Sequence, residues 1–114
     1  MGGLSVEQQG DILHLGVDGE LTQQVVPAIR KQCDKLLEIG VFTHLVVDLS
    51  GVPFIDSSGI GLLVSINSRL KGGGKHMLLY RPSDQAVKTL DLVQLLDFFT
   101  IIHTEDELLT VVGS

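Results

Sequence analysis

The chain has no tryptophan, and its aromatic residues amount to 4%. Its core therefore has to be built from Leu, Ile and Val. It has a single cysteine, Cys33, which excludes an intrachain disulfide and fits a reducing, cytoplasmic setting. Basic residues are few: 8 Lys and Arg against 14 Asp and Glu, a net charge of −6. Only Arg30-Lys31, Arg69 to Lys71 and Lys75 are locally basic, which argues against nucleic acid as a partner, because phosphate binding needs clustered cations. No apolar run reaches the ~18 residues of a membrane span, and the N-terminus lacks a charged-then-apolar leader pattern. Membrane insertion is not expected. What is present suits one domain over residues 1–114: 44% hydrophobic and 19% charged residues, enough to fold around a core.

Two short strands are predicted at LSVEQQ and ILHLGVDG, joined by a hairpin turn at Gln9-Gly10-Asp11. From Thr22 a helical pattern carries Val26, Ile29, Cys33 and Leu36-Leu37 on one stripe, with Pro27 in its first turn and Gly40 as its stop. HLVVDLS (44–50) is a strand. A helix over about 57–71 presents Leu63, Ile66 and Leu70 inward and ends at Gly72-Gly73-Gly74. HMLLY (76–80) is a strand, Pro82-Ser83-Asp84 opens a third helix, and Phe99 to Ile102 forms a last strand. Thr104 and Glu107 match a capping box at the start of a terminal helix. The order ββαβαβαβα predicts an α/β fold. It implies a mixed, largely parallel sheet of about five strands flanked by about four helices. The strands are not apolar on both faces, so the helices are expected mainly on one face.

The informative interruption is FIDSSGIGLL, residues 54 to 63. Asp56 or Ser57 can cap a helix, but a cap needs one polar residue and leaves the glycines unexplained. Gly59 and Gly61 each cost roughly 1 kcal/mol in a helix, so close backbone approach is expected there, either of the sheet or of a partner. A nucleotide cradle fits poorly: the third glycine of a dinucleotide fingerprint is missing and Asp56 would repel a pyrophosphate. A hydrolase elbow needs Gly-x-Ser-x-Gly, and Ile55 and Asp56 stand where its first glycine belongs. A phosphoacceptor Asp48 lacks the acidic pair that would hold magnesium, since GVDGEL follows the second strand. By strand parity His14, His44 and His76 share the less covered face, where half-exposed histidines or a metal site are the alternatives. Cys33 falls on an apolar stripe and reads as core. A serine at a helix N-terminus is also a good phosphate acceptor. The added charge meets the positive helix end, the fold survives, and a docking surface changes sign.

HLVVDLSGVPFIDSSGIGLLV resembles the central motif of the STAS-domain anti-sigma-factor antagonists of bacterial partner-switching regulation. GELT and PSDQAVKTLDLVQLLDFF resemble flanking segments of that family, with Thr22 where the family has aspartate. The resemblance covers nearly the whole chain. It implies phosphorylation of Ser57, the first serine after the aspartate. It also implies an anti-sigma factor with serine-kinase activity that binds the unmodified form, and a serine phosphatase that restores it. The protein itself would then be a substrate and binding module, not an enzyme, with no cofactor, as a monomer or weak homodimer. Asp56, Ser58, Gly59, Ile60 and Gly61 are the expected partner-binding residues. STAS modules also occur in transport and signalling assemblies without serine phosphorylation, which is the competing expectation.

Overall fold

Gly10 turns the chain at φ 60°, a left-handed conformation that costs glycine little, and so closes the first hairpin. The computed structural model describes residues 3–113, apart from the side chain of Ile39. The hairpin joins β1 (Gly3–Gln9) to β2 (Ile12–Asp18). Then follow α1 (Val26–Ile39), β3 (His44–Gly51), α2 (Ser57–Gly72), β4 (His76–Tyr80) and α3 (Asp84–Leu92). A short 3-10 turn over Leu96–Phe98 leads to β5 (Thr100–Ile102) and α4 (Glu105–Val112). The five strands form one sheet in the order β1-β2-β3-β4-β5. Only β1 runs antiparallel to its neighbour. The predicted architecture of about five strands and four helices holds.

Several element ends differ by a residue or more from the sequence expectation, and hydrogen bonds account for two of them. The first helix opens at Val26, not at Thr22. The Thr22 carbonyl accepts from the N–H groups of Val25 and Val26, each at 3.0 Å, and closes a separate turn. Pro27 then occupies a first-turn position, where its missing N–H leaves no bond unmade. The last strand begins at Thr100, one residue after the expected Phe99. The Phe99 N–H is held by Leu96 O at 3.4 Å, and its ring is buried. Two helix starts match the residues read for them. Ser83 Oγ accepts from Ala86 N at 3.1 Å, and Thr104 and Glu107 form the reciprocal capping box.

Side-chain alternation along the strands divides the interior into two unequal layers. Leu13, Leu15 and Val17 of β2, Leu45, Val47 and Leu49 of β3, and Met77 and Leu79 of β4 all enter one large cluster. Val26, Ile29 and Cys33 of α1, Leu63, Ile66 and Leu70 of α2, and Ala86 and Leu90 of α3 pack on it. Burying one such Leu or Ile contributes about 1.5–3 kcal/mol. The other layer is thin: Val46, Leu78 and Ile102 meet Leu108 of α4. Three helices therefore cover one face and one covers part of the other, as expected from strands that are apolar on one side. Cys33 is core; burial first, and then the neighbouring Asp34 charge, push its thiol up to about 11. Among the described residues no helix is long and apolar enough to cross a membrane.

Candidate functional site

Beyond β3 the chain is bound to its neighbours before it enters α2. Gly19 N–H donates to Gly51 O at 2.9 Å, Leu21 N–H to Phe54 O at 2.9 Å, and Asp56 N–H to Leu21 O at 3.2 Å. Leu21 and Ile55 form an isolated parallel bridge, and both side chains are 1% exposed. On the other side the Gln85 carboxamide grips the same backbone. Its Oε1 accepts from Ile55 N at 2.9 Å, and its Nε2 donates to Ile55 O at 3.1 Å. Thr89 Oγ1 accepts a second bond from that Nε2 at 3.0 Å and fixes the amide. A side-chain amide thus presents the pairing edge of a peptide to one residue of the junction.

Asp56 is the N-cap of α2. Its Oδ1 accepts from Gly59 N at 3.0 Å, and its Oδ2 accepts from Gln23 N at 2.9 Å. The carboxylate therefore caps the helix and ties the segment after β2 to the helix start. The Gly59 N–H bond is the main reason its pKa lies below the ordinary 3.8; partial desolvation opposes it and the Gln23 N–H adds to it. Ser57 follows at the first helical position and is exposed, whereas Ser58 is half-buried. Among the described residues no histidine, lysine or carboxylate is hydrogen-bonded to Ser57. A charge added at Ser57 would sit at the positive end of a 16-residue helix whose first turn carries no acid, beside the Asp56 carboxylate at the N-cap.

The two glycines have opposite surroundings. A Cβ on Gly59 would stand 2.5 Å from Leu21 O and 2.6 Å from Ile55 Cγ1, so this glycine lets α2 lie directly on the junction. A Cβ on Gly61 would meet nothing within 4 Å. Gly59 and Ile60, two of the expected partner-binding residues, are buried within the chain, Ile60 at 5% exposure. The close approach at Gly59 is to Leu21 and Ile55 of the same chain. Exposed around Ser57 are Gly61, one turn along α2, and Phe54, with 40% exposure, before it.

The histidines lie elsewhere. Register places His44 opposite His76, and their rings stack at 5.1 Å. His14 instead pairs with Val46, two residues further along. Among the described residues no group of three His, Cys, Asp or Glu could hold a metal ion, so the shared-face metal alternative finds no support. Gln85 and Gln23 escaped the sequence reading. Gln85 sits in a stretch that signals only a helix start, and Gln23 contributes its backbone, which no residue type announces.

The fold is an α/β sandwich of unequal layers with a stapled strand-to-helix junction, and the STAS domain family model matches residues 4–108. The chain belongs to the STAS family. A relative named anti-sigma F factor antagonist, from Paenibacillus polymyxa, is 24% identical over 107 residues, covering 94% of this chain and 92% of the relative. An anti-sigma factor antagonist from Mycobacterium paratuberculosis superposes with a TM-score of 0.88 at 24% identity, over 100% of this chain and 96% of that one. Unphosphorylated SpoIIAA, described as an anti-sigma factor antagonist, superposes with a TM-score of 0.81 at 22% identity, over 98% of each chain.

Proposed function

We propose that this protein is an anti-sigma factor antagonist whose binding is switched off by phosphorylation of Ser57. The observation that carries the reading is an exposed serine at the first position of α2, on a backbone hydrogen-bonded from both sides. The names of its relatives, of which the STAS match makes it kin, support the antagonist role. The unmodified surface of Ser57, Ser58 and Gly61, edged by Phe54, docks on an anti-sigma factor with serine-kinase activity. Asp56, Gly59 and Ile60 hold that surface from beneath. The kinase supplies ATP and the base. Ser57 Oγ attacks the γ-phosphorus, the bond to the β-phosphate oxygen breaks, ADP leaves, and the hydroxyl proton passes to the kinase. A serine phosphatase hydrolyses the phosphoserine and restores the surface. The chain is in this reading a substrate, not an enzyme.

The phosphate brings about −1.5 to −2 charges, which the helix end tolerates and the partner interface does not. An uncompensated charge in such an interface costs several kcal/mol, and each ~1.4 kcal/mol is a factor of ten in affinity. The test is to incubate the protein with a kinase-type anti-sigma factor and ATP and map the phosphosite by mass spectrometry. Label at Ser57, with release of the complex and loss of binding in Ser57→Asp, is the expected result. Label elsewhere, or tight binding by Ser57→Asp, overturns it and favours a STAS module that works without phosphorylation.

A further inference from the structure

At the opposite end of the sheet from Ser57, β5 stops short. It begins at Thr100, opposite Leu78, while β4 begins two residues earlier at His76. The His76 N–H donates to Thr43 O at 3.0 Å on the β3 side. Strand alternation turns the next N–H, that of Met77, to the side that β5 does not reach. The space beyond is a cavity of about 450 Å³. That lies within the range of small-molecule sites, roughly 300–1,000 Å³. Its lining includes the stacked pair His44 and His76, with Met77, Phe98 and Phe99.

Two polar residues in the lining need explanation. Asn67 is 3% exposed and is the one polar side chain fully buried among the described residues. It stands on α2 between Ile66 and Leu70, where the pattern calls for core. Its one described hydrogen bond, Nδ2 to Phe98 O at 3.3 Å, uses a single one of the amide's four hydrogen-bonding positions. Lys71 holds its ammonium 4.9 Å from the centre of the Phe98 ring. It has no carboxylate partner: the one salt bridge among the described residues joins Arg69 to Asp34, although Asp97 lines the same cavity as Lys71. An ammonium, a buried carboxamide, a strand-edge N–H and two imidazoles therefore converge on a space whose walls are aromatic and aliphatic.

We infer that this cavity binds a small organic carboxylate with an apolar body. Lys71, Asn67 and the Met77 N–H receive the carboxylate, and Phe98, Phe99 and Met77 cover the body. Asp97 in the same lining disfavours a dianion more strongly than a monoanion. This site is independent of Ser57 and of the partner proposed for it.

The probe is sodium benzoate, with benzamide as its uncharged counterpart, titrated into the full chain while the imidazole resonances of His44 and His76 and the side-chain amide of Asn67 are followed by NMR. Saturating shifts at these groups are expected, with a dissociation constant below about 1 mM. Benzamide should bind at least about tenfold more weakly, and Lys71→Met should cost benzoate about tenfold, the worth of one hydrogen bond to a charged group. Arg69→Met, which removes a neighbouring cation already paired with Asp34, should leave benzoate binding unchanged. Shifts that never saturate, equal binding of benzamide, or indifference to Lys71→Met each overturn the proposal. Both variants replace exposed side chains, so the folded state is retained for the comparison.

Discussion

The chain leaves β3 and enters β4 under opposite conditions. At the exit, Ile55 is held by Leu21 on one side and by the Gln85 amide on the other, and Asp56 is hydrogen-bonded through both oxygens. At the entry, the side of β4 facing β5 borders an open cavity because β5 starts late. The first arrangement leaves Ser57 exposed on a fixed support. The second leaves unused donors around a space. A rigid junction suits a residue that has to be presented to another protein in one geometry. Space with convergent polar groups suits a small guest. One sheet supplies both because its strands end at different heights.

Substitutions can break this contrast, and their expected effects fall in order. The largest is Gly59→Val, whose side chain has to displace Leu21 O and Ile55. Overpacking of this kind costs about 1–3 kcal/mol or more, and the urea midpoint should fall accordingly. Next is Gln85→Ala, which strips the partners from the Ile55 N–H and C=O. Leaving buried backbone groups unpaired costs about 1–3 kcal/mol, whereas Gln85→Glu should restore the N–H bond alone and recover part of the loss. Asp56→Ala removes a cap and the tie to Gln23, at about 0.5–2 kcal/mol.

The Asp56 effect has a pH signature. The carboxyl titrates below its ordinary 3.8 in the folded chain, so the unfolded chain binds the proton more readily. Its contribution is complete above the ordinary value and is lost as pH falls through the depressed folded value. Asp56→Asn should therefore flatten the acid limb of a stability-against-pH curve below about pH 4 and leave the shape of its neutral region unchanged. The smallest stability effect belongs to Gly61→Ala. With nothing within 4 Å of the added methyl, it should gain up to ~1 kcal/mol through helix propensity. If Gly61 lies in the docking surface, the same variant weakens anti-sigma factor binding while the urea midpoint rises.

Much of this fold is legible in the sequence because its strands and helices carry their periods plainly. The alternation in HLVVDLS and HMLLY gives both the strands and the face that holds the core. Asp56, Ser83 and Thr104 announce helix starts because their side chains satisfy N–H groups a few residues ahead. The two glycines of the motif are a subtler case. They stand two apart, about 200° around a helix, so they point to different sides of it. The spacing held that answer, and the structure sorts them into Gly59 for packing and Gly61 for the surface. The Gln85 clamp was not legible, since the two residues it joins lie 30 apart. Nor was the cavity, which comes from a register offset between β4 and β5 that neither strand encodes alone. Pro27 shows a local signal read correctly and placed in a helix expected to begin too early: the Thr22 turn competes for the same residues.

The Gln85 amide also makes Ile55 an internal gauge. Its N–H is paired to a side chain from α3, not to another strand, so its deuterium uptake depends on α3 staying in place. If α3 lifts from the sheet without global unfolding, Ile55 loses its protection while Leu45 and Val47, in the middle of β3, keep theirs. A single amide in an exchange experiment would then separate detachment of one helix from melting of the whole domain.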